Sequence, residues 1–137
     1  MVHLVWSTKN RNAGLRKEIR NSINNHIRKN AAEKGIFIEA LNCQSDHVHC
    51  LISLTRDQNI SKVAALLKGE SSHWINQQDF SRGKFAWQND YFAVSVSESS
   101  VQRVRAYIDN QDAHHRKKTF QDEYDEFLRL FGFKELA

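Results

Sequence analysis

The sequence predicts an α+β fold: one antiparallel β-sheet with helices packed on it, in a ferredoxin-like sandwich. Apolar residues alternate with period two in four short stretches and recur every three or four residues in the segments between and after them. The resulting order, β-α-β-β-α-β-α-α, is that of an antiparallel sheet layered with helices. With 137 residues, 40% of them apolar, the chain suffices for one core of ordinary size. It has no proline, internal repeat or low-complexity tract to mark a boundary, so residues 1–137 read as one domain.

Residues 2–8 carry Val2, Leu4, Val5 and Trp6 and end at Ser7-Thr8, giving a first strand. A turn follows through Asn10-Arg11-Asn12-Ala13-Gly14. Over residues 15–34, Leu15, Ile19, Ile23, Ile27 and Ala31 recur every four positions as the buried stripe of a helix, and Gly35 suits its end. The β-branched runs 36–41 and 47–54, separated by Asn42-Cys43-Gln44-Ser45-Asp46, predict a hairpin. Residues 61–78 read as a helix capped by Ser61, with Val63, Leu66 and Leu67 on one side and Trp74 further along. After a loop rich in Gly and charge, Phe92, Val94 and Val96 alternate with Ala93, Ser95 and Ser97 as a fourth strand. Ser99 or Ser100 caps a helix running to about His115 on the stripe Val101, Val104 and Ile108, and a last acidic helix covers about 120–130, ending near Gly132.

No apolar run approaches the roughly 18 residues of a membrane span, and the opening Met1-Val2-His3-Leu4-Val5-Trp6 meets Lys9 and Arg11 too soon for a signal peptide. A cytoplasmic protein is expected. Cys43 and Cys50 are too few for a disulfide scaffold and read as small buried apolar residues. The net charge of +4 is unevenly spread: +6 over residues 1–35, −2 over 36–98, +3 over 99–118 and −3 over 119–137. Lys9, Arg11, Arg16 and Arg20 in the first basic block, and Arg103, Arg105, Arg116, Lys117 and Lys118 in the second, are the candidate phosphate-backbone contacts. Solvated helix faces produce the same balance, so charge alone leaves both readings open.

In Asp46-His47-Val48-His49-Cys50-Leu51-Ile52, period two puts His47 and His49 on one strand face and Val48, Cys50 and Ile52 on the other. Two neighbouring imidazoles can hold one metal ion, or can simply be half-buried and hydrogen-bonded. In the helix after residue 99, Tyr107 and Gln111 stand four residues apart, about 40° around the axis, on a face other than the Val104/Ile108 stripe.

Together these residues resemble the small HUH-endonuclease transposases with a single catalytic tyrosine, which move insertion sequences as single-stranded DNA. The resemblance runs almost end to end. It is carried by His3-Leu4-Val5-Trp6-Ser7-Thr8-Lys9-Asn10-Arg11, Asp46-His47-Val48-His49, Leu67-Lys68-Gly69-Glu70-Ser71-Ser72, Trp87-Gln88, Ser95-Val96-Ser97, and Tyr107-Ile108-Asp109-Asn110-Gln111 followed by His114-His115. It implies an HUH-type sandwich, with His47 and His49 as metal ligands, Gln111 as a third ligand and Tyr107 as nucleophile. The sequence departs from the family's pattern at Asn89-Asp90-Tyr91-Phe92-Ala93, where no glycine flanks the aromatic residue. This bears on the local loop, not on the chemistry.

The implied chemistry is coherent. A tyrosine hydroxyl, with a reference pKa of about 10, is a poor nucleophile at neutral pH, and a divalent metal at the phosphate supplies the missing electrophilic help. Two imidazoles and an amide oxygen suit Mn²⁺ and tolerate Mg²⁺. The products would be a 5′-phosphotyrosine and a free 3′-OH, and because the phosphotyrosine keeps the energy of the broken bond, no nucleotide cofactor is needed. No G-x-x-x-x-G-K-[ST] loop is present. The resemblance also implies a homodimer that recognises hairpin ends of single-stranded DNA.

Three other readings compete: an HUH replication initiator or relaxase using the same residues, a non-catalytic module binding single-stranded nucleic acid, and a structural zinc site of Cys43, His47, His49 and Cys50. Strand alternation points Cys50 away from both histidines, against the last. His114-His115, followed by Arg116-Lys117-Lys118, read as a phosphate-contacting helix end. His3, His26 and His73 have no partner legible in the sequence, and Trp6, Trp74 and Trp87 read as core residues.

Overall fold

Four strands pair antiparallel into one sheet of order β2-β3-β1-β4. In chain order the elements are β1 (Val2–Thr8), α1 (Lys17–Glu33), β2 (Phe37–Cys43), β3 (His47–Ser53), α2 (Ile60–Gln77), β4 (Trp87–Ser95), a 3-10 turn at Glu98–Ser100, and α3 (Val101–Asp109). They are seen in a computed structural model that describes residues 1–9, 14–78 and 84–111, together with Asp125 and Arg129. The fold is α+β, as predicted, with the ferredoxin-like strand order. The predicted turn over 10–14 falls largely outside the described residues, as does the last acidic helix; Asp125 and Arg129, both helical and exposed, lie within that helix.

Alternation divides the molecule into two layers. Leu4 and Trp6 of β1, Leu41 and Cys43 of β2, and Val48, Cys50 and Ile52 of β3 point to one face. There they meet the helical stripe Leu15, Ile19, Ile23, Ile27 and Ala31 and the α2 residues Val63, Ala64, Leu67 and Ile75. Ala40, Leu51 and Val96 lie on the opposite face, under Val104, Tyr107 and Ile108 of α3. Thus α1 and α2 cover one side of the sheet and α3 the other. Arg20 of the first basic block is carried on α1, and Arg103 and Arg105 of the second on α3, on opposite sides of the sheet.

Several boundaries differ from those the sequence suggests, each for a local reason. The cap of α2 is Asn59, whose Oδ1 accepts from the backbone N–H of Ser61 at 2.8 Å and of Lys62 at 3.4 Å; the Ser61 hydroxyl instead lies 3.1 Å from that of Tyr91. Leu66 is 46% exposed, because α2 turns a side containing Ser71 toward the sheet. The Ser71 hydroxyl donates to the Leu67 carbonyl at 2.6 Å and accepts from the Trp87 indole N–H at 2.9 Å. β4 begins at Trp87, which pairs with Thr8 past a bulge in the β1–β4 register, so residues 89–93 are strand and not loop. Ser100 occupies the cap position of α3 without a side-chain cap bond, its hydroxyl being engaged with Ser97 at 3.1 Å. α3 runs to Asp109 and Gln111 is again helical; the rest of the helix predicted to reach His115 lies outside the described residues. Among the described residues no helix is long and apolar enough to cross a membrane.

Gly35 closes α1 with φ +72°, and the backbone N–H groups of Gly35 and Ile36 reach the carbonyls of Ala32 at 3.2 Å and Ala31 at 2.9 Å. This is the double-bonded left-handed helix stop that favours glycine. A Cβ at Gly35 would meet nothing within 4 Å, so only the backbone opposes one. Gly35→Ala is therefore expected to lower unfolding free energy by about 1–2 kcal/mol, measured by urea denaturation.

Cys43 and Cys50 are not joined to one another in a disulfide and lie within the larger core cluster. Burial pushes the Cys50 thiol up to about 12, Arg28 acting weakly in the other direction. A raised thiol pKa means the unreactive protonated form dominates well above neutrality. In the folded protein at pH 8 Cys50 should resist a thiol-specific reagent, and it should react on addition of denaturant; rapid labelling of the native state would contradict this.

Candidate active site

β3 is flanked on both sides, and that fixes which way its side chains point. His47 lies opposite Ser7 of β1, and His49 lies opposite Val5 of β1 and Asn42 of β2. Both rings emerge on the α3 side, with centroids 4.9 Å apart and planes at 79°. At that spacing one ion can take a nitrogen from each.

The two rings are held alike. Nδ1 of His47 is 2.6 Å from Oδ1 of Asp46, and Nδ1 of His49 is 3.0 Å from Nε2 of His3. Each imidazole therefore has Nε2 as the nitrogen to offer a metal, and a neighbour on Nδ1 to orient it, the arrangement that metal-ligating histidines ordinarily have. His3 is the residue that sequence reasoning missed. It is fully buried, its ring beside that of His49 with centroids 5.2 Å apart and planes at 27°, and edge-on to Phe92 at 6.0 Å. Burial, and then the nearby His49, hold its pKa well below the usual histidine range, so it is neutral. The alternation His3-Val5-Ser7 on the same face of β1 was the available signal.

α3 brings the remaining two residues. The Tyr107 ring stands edge-on to His49, centroids 6.0 Å apart at 83°. The Gln111 side-chain amide N–H donates to the Tyr107 carbonyl at 2.9 Å, a bond that does not use the amide oxygen, the atom a metal would take. The end of α3 is tied to the sheet by Asn42, whose amide donates to the Ile108 carbonyl at 2.8 Å and whose oxygen accepts from Gln44 at 2.8 Å. Because Asn42 is the β2 partner of His49, the same strand position anchors the tyrosine helix beside the histidine.

One expectation is corrected here. Tyr107 does not lie off the Val104/Ile108 stripe but packs in one cluster with both residues. The site is closed: Tyr107 is 9% exposed, His47 3%, His49 1% and Gln111 0%. The zinc reading fails on geometry, since Cys43 and Cys50 face the α1/α2 core. Among the described residues no three His, Cys, Asp or Glu side chains gather to hold a metal, so the implied set depends on the amide of Gln111 as third donor.

The basic candidates divide by position. Lys9 and Arg16 are exposed. Backbone bonds from Lys9 to Ala86 at 3.0 Å and from Leu15 to Ser45 at 3.1 Å set them at the end of the sheet where β3 begins, the His47 end. Arg20 is half-buried with Nε on the Leu15 carbonyl at 2.9 Å, and Arg105 pairs with Glu39 at 3.4 Å. Arg103 is exposed on α3. Arg11, Arg116, Lys117, Lys118, His114, His115 and Tyr124 lie outside the described residues. His26 proves structural: it bridges α1 to Glu70 of α2 at 2.8 Å and stacks on Trp74, centroids 4.2 Å apart.

With this geometry in hand, similarity to known proteins is informative. The family model described as "Transposase IS200 like" matches residues 1–111. The chain is 29% identical over 114 residues to the ISDra2 transposase TnpA of Deinococcus radiodurans, covering 80% of this chain and 81% of that protein. It is 27% identical over 115 residues to the transposase for insertion sequence element IS200 of Salmonella typhimurium, covering 80% and 74%. A crystal structure described as a transposase from Deinococcus radiodurans superposes with a TM-score of 0.61 at 29% identity, covering 80% of this chain and 88% of that one. A REP-associated tyrosine transposase bound to a REP hairpin superposes at 0.62 over 82% and 67%; at 19% identity it speaks for the fold.

Proposed function

The chain belongs to the IS200-like transposase family, and from that membership we propose that it cleaves and rejoins single-stranded DNA at insertion-sequence ends. Tyr107 is the nucleophile, and His47, His49 and Gln111 hold a divalent metal, Mg²⁺ or Mn²⁺. The observation that carries this reading is the convergence on one sheet face of two histidines, each oriented through Nδ1, with a tyrosine edge-on to one of them at 6.0 Å. A non-catalytic binding module would leave that convergence without a use.

When bound, the ion would supply Lewis-acid charge at the scissile phosphate. The chain's own residues do the rest. Asp46 keeps the His47 ring in place, the Asn42 bond to Ile108 keeps α3 against β2, and Tyr107 is thereby held next to the ligand pair. The Tyr107 oxygen forms a bond to phosphorus as the bond to the 3′ oxygen breaks, leaving a 5′-phosphotyrosine and a 3′-OH. An incoming 3′-OH reverses the exchange and releases Tyr107, without a nucleotide cofactor. Since all four side chains are buried, the surface over them must open before a phosphate reaches them. A flexible single strand can enter such a gap and a duplex cannot. The reaction belongs in the cytoplasm, where the element's DNA lies.

Rejoining two ends calls for two nucleophiles in proximity, and one chain supplies Tyr107 alone, so the working form is a two-fold homodimer. Lys9, Arg16 and Arg20, Arg103 and Arg105 across the sheet from them, and the further candidates Arg11, Arg116, Lys117 and Lys118 would contact the backbone of a hairpin end. Because α1 and α3 lie on opposite faces, a bound strand must pass around the sheet end near Lys9 to touch both blocks. Sharing a fold with a transposase solved on a hairpin is compatible with this.

With labelled single-stranded DNA from the element's ends and Mn²⁺, the wild-type chain should form a covalent adduct visible on a denaturing gel. Tyr107→Phe should reduce the adduct by about a thousandfold or more while DNA affinity stays nearly intact. His47→Ala or His49→Ala should abolish it through loss of metal, and Gln111→Ala should cost less, on the order of tenfold. An adduct formed by Tyr107→Phe would move the nucleophile to another tyrosine.

The dimer claim is checked separately by light scattering during strand transfer. A two-chain species is expected, with binding that weakens steeply as salt rises. A strictly monomeric species that completes strand transfer would rule the dimer out.

A further inference from the structure

We infer that His3 is a positioning residue for the metal site: its Nε2 accepts the Nδ1 proton of His49 and so fixes His49 in the tautomer that presents Nε2 to the ion. The inference rests on the metal reading above and deepens it, since neither the tyrosine chemistry nor the family's ligand set involves this residue.

The two rings meet diagonally across β1 and β3. His3 sits opposite Leu51, so His49 is two residues away on the same face, and the ring nitrogens are 3.0 Å apart. A bond between two neutral imidazoles has a direction, because one nitrogen must donate and the other accept. If His3 donated, His49 would carry its own proton on Nε2 and have no lone pair there for a metal. If His49 donates, Nε2 is bare and the ring is a ligand. A ligating His49 requires the second arrangement, and the buried His3, whose Nε2 lies 3.0 Å from His49 Nδ1, is the group placed to accept that proton, with its own proton then on Nδ1. On the neighbouring ligand the partner is the Asp46 carboxylate, which accepts from His47 at 2.6 Å. One ligand is thus oriented by an anion and the other by a neutral ring, which limits the negative charge brought to a site meant for phosphate.

The test is Mn²⁺ binding to the full chain without DNA, followed by the electron paramagnetic resonance signal of the free ion, in wild type, His47→Ala, His3→Leu and His3→Gln. His3→Leu removes the acceptor and should weaken binding by about 10–100-fold. His3→Gln, whose side-chain oxygen can occupy the Nε2 position, should restore most of that loss. In parallel, long-range proton–nitrogen NMR of the metal-free wild type should show the His49 proton on Nδ1. If His47→Ala weakens Mn²⁺ binding but His3→Leu does not, the metal site stands and the role of His3 falls. His3→Gln binding as weakly as a folded His3→Leu, or a His49 proton found on Nε2 in the wild type, overturns it as well. If His47→Ala binds Mn²⁺ as wild type does, the metal assignment itself is wrong and this inference goes with it.

Discussion

The register of β3 between its two neighbours is the constraint on which the rest depends. Slipping a strand by one residue exchanges its faces. Here that would bury His47 and His49 against α1 and turn Val48, Cys50 and Ile52 toward α3. The strand is pinned from both sides, by six residue pairs to β1 and six to β2. The larger core enforces the same choice, because Val48, Cys50 and Ile52 are fully buried beneath the α1 and α2 stripes. The hydrophobic energy of one face thus places the chemistry of the other. A polar residue pair that could not hold its own position is held by the apolar residues between.

Features that depend on local spacing were legible in the sequence. The four-residue stripe of α1 and the Gly35 stop both stand as read, and period two alone puts His47 and His49 on a common face. Tyr107 and Gln111 were reached only through family resemblance, since a Tyr and a Gln four residues apart have no signature of their own. What escaped were features set by long-range pairing. His3 could not be matched with His49 without knowing that β1 and β3 are neighbours and in what register. Leu66 looks like a core residue, but the buried side of α2 runs through Val63, Ala64, Leu67, Ser71 and Ile75 and leaves it out. The capping role passed from Ser61 to Asn59 because helix phase, fixed by packing, decides which side-chain oxygen faces the open N–H groups. Tyr107 was misplaced for a similar reason: α3 is short and covers a small apolar patch, so its buried side is wide enough to include the tyrosine.

Charge proved the least transferable signal. The sequence places two basic blocks far apart in the chain, and a single continuous surface is the natural guess. The fold sends α1 and α3 to opposite sides of the sheet, and Arg105 spends part of its charge on Glu39. What joins the two sides is the sheet end at which β1 finishes and β3 begins, where Lys9 and Arg16 sit beside the start of the histidine strand. Local position relative to the site, not the total, gives those two residues their claim on a phosphate.

The two apolar clusters also differ in a way that matters for reactivity. α1 and α2 share a large core with all four strands, Trp87 contributing from β4. α3 rests on Ala40, Leu51 and Val96 and is fastened by the Asn42 bond and the Glu39 pair. Cooperative units with few buried contacts open at lower free energy than the core that supports them. Placing the tyrosine on the lightly held helix and the histidines on the pinned strand puts the two halves of one site on elements of unequal stability. The same burial that closes the site keeps His3 and His49 dry, where the direction of a single hydrogen bond counts most.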